Sequence, residues 1–85
     1  MILTKDYKNN NKERKQRFQN VVSYLEEAKD ELTDIQAEEI DALDALPEGL
    51  QMSSRGDKMQ ERIGFIDDTV ASINNVINNI EAETK

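Results

Sequence analysis

Residues 59–80, MQERIGFIDDTVASINNVINNI, decide the fold of this chain. Their large apolar residues are Met59, Ile63, Ile66, Val70, Ile73, Ile77 and Ile80, at steps of 4, 3, 4, 3, 4 and 3. An α-helix turns once in about 3.6 residues, so this repeat sets all of these side chains on one narrow stripe. Such a stripe leaves water only by lying against another helix. The spacing therefore predicts a coiled-coil-like helix over 54–82, and the upstream sequence is read for what covers it.

Upstream, Phe18, Val21, Leu25, Ala28, Leu32 and Ile35 repeat with steps of 3, 4, 3, 4 and 3, and Val22 widens the stripe. No Gly or Pro falls within 12–46, where Ala, Glu, Leu, Lys and Gln dominate. Propensity and period agree on a first helix over 12–46, about 50 Å long. Past Ile35 the strict repeat lands on Glu39 and Ala42, while the bulk moves to Ile40 and Leu43. That slip predicts a local unwinding of the supercoil.

Pro47 stops the first helix, because the residue before a proline is pushed out of the helical region. Residues 47–53 form the predicted connector, with Leu50 and Met52 expected to plug the end of a bundle. Ser54-Arg55-Gly56-Asp57 fits a capping box, with Ser53 a competing cap. The Arg55-Gly56-Asp57 tripeptide also spells an integrin-recognition motif. It lies at a helix start rather than in an exposed loop, so chance explains it. Residues 1–11 read as an N-terminal arm, with Asn11 capping the helix from Lys12.

Two helices joined by a short connector lie antiparallel. The fold class is therefore all-α, a long antiparallel helical hairpin. Each stripe covers only one side of the other, and Ile at both core positions favours more than two strands. These features lead us to expect dimerisation into a four-helix bundle. The expected oligomer core is Phe18, Val21, Leu25, Leu32 and Ile35 from the first helix. The second contributes Ile63, Ile66, Val70, Ile73, Ile77 and Ile80.

Composition narrows the chemistry. The chain of 85 residues has no Cys and no His, which removes thiolate nucleophiles, the usual zinc sites and imidazole acid–base catalysis. No nucleophile stands near a base, no glycine-rich phosphate loop is present, and a thin bundle has no cleft. The expectation is a non-enzyme without metal or cofactor. No apolar run approaches the ~20 residues of a membrane span. Met1-Ile2-Leu3 is too short for a signal-peptide core. A cytoplasmic protein without a membrane partner is expected.

The net charge of −7 conceals an asymmetry. Lys5, Lys8, Lys12, Arg14, Lys15 and Arg17 outweigh Asp6 and Glu13, so residues 1–17 carry +4 and the remainder −11. Lys8, Lys12, Arg14, Lys15 and Arg17 are the candidate phosphate contacts of a nucleic-acid-binding alternative. The stretch Glu26–Glu48 holds ten carboxylates and one base, Lys29. It reads as a solvated face, or as a surface that imitates a nucleic-acid backbone. Carboxylate-bridged metal centres in bundles use Glu-x-x-His pairs, and this chain has no His. Glu39 falls on the core side of the repeat and is expected near the surface, or paired with Arg55, Lys58 or Arg62. Phe65 stands off the stripe. With Glu38, Asp41 and Asp44 it is the candidate partner-binding set, although packing on a second hairpin would also account for it.

At the connector, Leu46-Pro47-Glu48-Gly49-Leu50-Gln51, then Ser54, Arg55-Gly56 and Met59, resembles a segment of small acidic helical proteins encoded by bacteriophages and prophages. The likeness covers roughly residues 25–82, is most specific at the loop, and leaves out residues 1–17. It implies origin more than activity, since such proteins commonly act by stoichiometric binding to a host or phage protein. The expectation is a non-enzymatic protein-binding module that inhibits a host defence or nucleic-acid-handling protein in the host cytoplasm. A nucleic-acid-binding accessory protein and a phage structural or assembly factor are the alternatives.

Overall fold

The computed structural model describes the chain from Thr4 to Thr84, with side chains described from Asn11 onward. Helix α1 spans Thr4–Asp44, a single turn α2 spans Glu48–Gln51, and α3 spans Ser54–Glu83. Helices α1 and α3 lie against each other along the length of α3, in a rod of 72 × 18 × 15 Å. The antiparallel hairpin follows from the two periodic stretches and the proline between them.

Both boundaries of α1 differ from the sequence reading. Helix α1 begins at Thr4, so Asn9–Asn11 lie inside it and Asn11 does not cap a helix at Lys12. Helix propensity over 12–46 is strong enough to carry the helix back through three asparagines, each only weakly unfavourable. Residues 1–3 lie outside the described residues, as do the side chains of 4–10. At its other end α1 stops at Asp44 rather than Leu46. Pro47 forbids the helical region to Leu46, and the Leu46 amide turns back onto the Leu43 carbonyl at 3.1 Å.

The capping box does not form. Ser53 takes the N-cap position of α3 with extended backbone and no side-chain cap, and Ser54 is the first helical residue. The Ser53 hydroxyl donates instead to the Leu50 carbonyl, while the Asp57 amide donates to the Ser53 carbonyl at 2.9 Å. Leu50 and Met52 do not plug the bundle end. Met52 is 85% exposed, because α2 folds its backbone, not these side chains, over the start of α3.

Gly56 makes that fold-over possible. It is buried, and a Cβ placed on it would lie 2.1 Å from the Gln51 carbonyl oxygen. Only a residue without a side chain lets the connector approach the helix so closely. Gly56 also continues the α3 stripe, three residues before Met59, so the stripe begins in the connector.

The seam of α3 is the predicted one. Ile66 and Ile77 are 2% and 3% exposed, and Met59, Ile63, Val70, Ile73 and Ile80 are half-buried beside them. The seam of α1 is Val22, Leu25, Lys29, Leu32, Gln36, Glu39, Leu43 and Leu46. Its 3–4 alternation is unbroken, so the slip past Ile35 has no counterpart in the packing. Half of this seam lies one residue later than the repeat read from sequence. Val21, Ala28, Ile35 and Ala42 give way to Val22, Lys29, Gln36 and Leu43.

A candidate interaction surface

The polar seam residues set the register of the hairpin. Lys29 lays its stem over the seam and extends its ammonium to the Asn74 side-chain oxygen at 2.9 Å and to Glu26 at 3.2 Å. The Gln36 amide donates to the Ile63 carbonyl at 3.0 Å and to an Asp67 carboxylate oxygen at 2.6 Å. Arg62 donates to Glu39 at 2.9 Å. Glu39 is thus on the core side and paired with a basic residue, one of the three the sequence offers. Each bond would break on a one-residue shift, so these side chains supply alignment that apolar packing leaves loose.

Displacement of the α1 seam leaves an apolar column with nothing against it. In each helix, the residue before a seam position lies about 100° back around the axis. The two helices run in opposite directions, so that step turns both columns to the same side of the hairpin. Hollows along the rod agree with this: Arg14 and Glu83 line one together, whereas Gln19 and Glu81 share another on the opposite side. On the first side α1 presents Val21, Ala28, Ile35 and Ala42, with Tyr24, while α3 presents Phe65, Thr69 and Val76. Phe65 is 63% exposed and Ile35 40%. The opposite side carries Glu26, Asp30 and Asp44 of α1 and Asp67, Asn74 and Glu81 of α3, with Ile40, 40% exposed, as its one large apolar residue. We call these the apolar flank and the polar flank.

The predicted site residues divide accordingly. Of the residues assigned to an oligomer core, Val21 and Ile35 stand on the open side of α1, and Leu25 and Leu32 join the seam. Phe18, four residues before Val22, continues the seam at the end of α3, where it is left half-exposed beside Glu83 and Thr84. Phe65 and Glu38 share the apolar flank; Asp41 points away from the seam and Asp44 lies on the polar flank, so the four do not form one patch. Lys12, Arg14, Lys15 and Arg17 are exposed on the part of α1 that runs past the end of α3. The side chain of Lys8 lies outside the described residues. Arg14 and Arg17 border a shallow apolar hollow floored by Phe18, Val21 and Tyr24. Among the described residues no three carboxylates converge to hold a metal ion, and no helix is long and apolar enough to cross a membrane.

Two features escaped the sequence reading. One is the buried role of Gly56, whose signal was its position on the α3 stripe. The other is the flank, whose signal was the doubling of apolar residues at Val21–Val22. Comparison with known proteins gives no matching family model, curated protein or solved structure.

Proposed function

We propose that this chain is a non-enzymatic protein-binding hairpin that works as a homodimer, closing into a four-helix bundle through its apolar flank. The observation that carries this reading is the uncovered apolar column itself, Val21, Tyr24, Ala28, Ile35 and Ala42 of α1 beside Phe65 and Val76 of α3, on a hairpin too thin to cover it. Surface of this kind on a small protein marks an interaction site. With the flank closed, the outside of the bundle is dominated by carboxylates, which suits a basic surface on a second protein. The resemblance of the connector to phage-encoded helical proteins supports a host or phage protein as that partner, bound stoichiometrically as an inhibitor.

Sedimentation tests the first half. A dimer at micromolar concentration is expected, and Phe65→Ala, which removes an exposed aromatic without touching the seam, is expected to raise the dimer dissociation constant about tenfold. A folded monomer in the unsubstituted protein overturns the reading. Affinity capture followed by mass spectrometry tests the second half, with one protein recovered in fixed ratio as the expected result.

A second reading rests on Lys12, Arg14, Lys15 and Arg17, all exposed on the free end of α1. These groups suit a phosphate backbone. Anisotropy titration with labelled DNA and RNA at low salt, with and without residues 1–17, tests it. Absence of binding by the full chain removes this reading.

A further inference from the structure

The charges on the apolar flank select one way of pairing two hairpins. On α1 the flank is acidic toward the connector, at Glu31 and Glu38, and basic at the far end, at Arg14 and Arg17. On α3 the order is reversed. Arg55, Lys58 and Arg62 lie toward the connector and Glu83 lies at the far end. The seam contacts give the levels: Glu39 is beside Arg62, Gln36 beside Ile63 and Lys29 beside Asn74. Glu38 is therefore level with Arg62, Ile35 with Phe65, and Tyr24 with Val76. Arg14 is close enough to Glu83 to line the same hollow.

We infer that two copies pair in parallel, flank to flank, about a two-fold axis running along the rod. Helix α1 of each copy lies over α3 of the other, and both connectors sit at the same end. This inference rests on the dimer reading and adds its geometry. In this arrangement the levels of Glu38, Ile35, Ala28 and Arg17 each find a fitting counterpart, while Glu31 meets only a threonine level. Glu38 meets the partner's basic group at the Arg62 level, and Ile35 packs on the aromatic at the Phe65 level. The small Ala28 faces a serine at the level of Ser72. Arg14 and Arg17 meet the carboxylate at the Glu83 level.

The other closed pairing has its two-fold axis across the rod. It lays α1 on α1 and α3 on α3, with connectors at opposite ends. That arrangement sets Arg55 against the carboxylate at the Glu83 level, but it brings the Glu31 carboxylates of the two copies together and moves Glu38 away from any base. Like charges facing each other across an interface select against it. The two-fold pairing along the rod also brings both basic ends of α1 to one end of the dimer, diagonally opposed and beyond the carboxylates that terminate α3.

The chain has no cysteine of its own, so a single Met52→Cys substitution at the exposed connector places one spin label on each copy. Helices in a bundle are about 8–10 Å apart, so parallel pairing predicts a label-to-label distance below about 35 Å. Pairing across the rod separates the connectors by at least the length of α3, about 45 Å at 1.5 Å per residue. Dipolar spin-echo measurement reads the distance, and sedimentation of the same labelled sample reads the mass. A dimer with a distance below about 35 Å is the expected result. A dimer with a longer distance overturns the parallel register and leaves the dimer reading standing. A monomer overturns both.

Discussion

The two long helices use their apolar residues differently. On α3 seven of the nine large apolar residues face the neighbouring helix, with Phe65 and Val76 on the flank, and the seam from Gly56 to Ile80 contains no charged group. On α1 the apolar residues are split between two columns, and the seam column takes in Lys29, Gln36 and Glu39. A helix with one stripe needs one neighbour, whereas a helix with two adjacent stripes is built for two. Helix α3 thus gives most of its apolar surface to its own hairpin. Helix α1 serves the hairpin with one side and stays open on the other.

Truncating α3's seam and α1's flank separates these roles most sharply. Ile66→Ala, at a site 2% exposed, is expected to lower folding stability by about 2–4 kcal/mol, read as a shift of the urea midpoint. Ile35→Ala, on the open flank, is expected to weaken association while the helical signal of the hairpin survives at concentrations where it is monomeric. Equal loss of helix in both variants would erase the distinction between seam and flank.

The glycines give the next contrast. Gly56→Ala drives a Cβ into the Gln51 carbonyl, and backbone cannot yield as a flexible side chain does. A loss of about 1–3 kcal/mol is expected, although alanine is the better helix former. Gly64→Ala meets nothing within 4 Å, so only the propensity gain remains, about 0.5–1 kcal/mol of stabilisation. Thermal unfolding of the two variants should move in opposite directions.

The smallest expected effect is at the polar seam. Glu39 is 17% exposed, but its partner Arg62 is 59% exposed, so solvent screens the pair. Glu39→Gln is expected to cost no more than about 1 kcal/mol, and the loss should shrink with added salt. A larger, salt-independent loss would mean that the α1 seam depends on its charges as α3 depends on its isoleucines.

Much of this is legible in the amino-acid sequence. The steps from Met59 to Ile80 predict α3 and its buried face, and Pro47 predicts where α1 ends to within two residues. The pairing of Glu39 was within reach because a carboxylate on the core side needs a cation, and Arg62 is close in the opposing helix. The α1 seam was not legible, because bulk and burial point to different columns there. Val21 and Val22 are both apolar, and Ile35 outranks Gln36 on any hydrophobic scale. Periodicity therefore selects the column that the structure leaves open. Likewise Ser54 and Asp57 have the spacing of a capping box, yet Ser53 takes the N-cap position without a side-chain cap and its hydroxyl bonds to Leu50 instead.

The amino-acid sequence by itself determined that this chain is two amphipathic helices folded back at Pro47, because a period near 3.5 and a proline act through local backbone geometry. Only the tertiary structure decided which side of α1 meets α3. That choice depends on how Lys29, Gln36 and Glu39 reach Asn74, Asp67 and Arg62 across the seam. These contacts join residues 23 to 45 positions apart, and no local pattern encodes them.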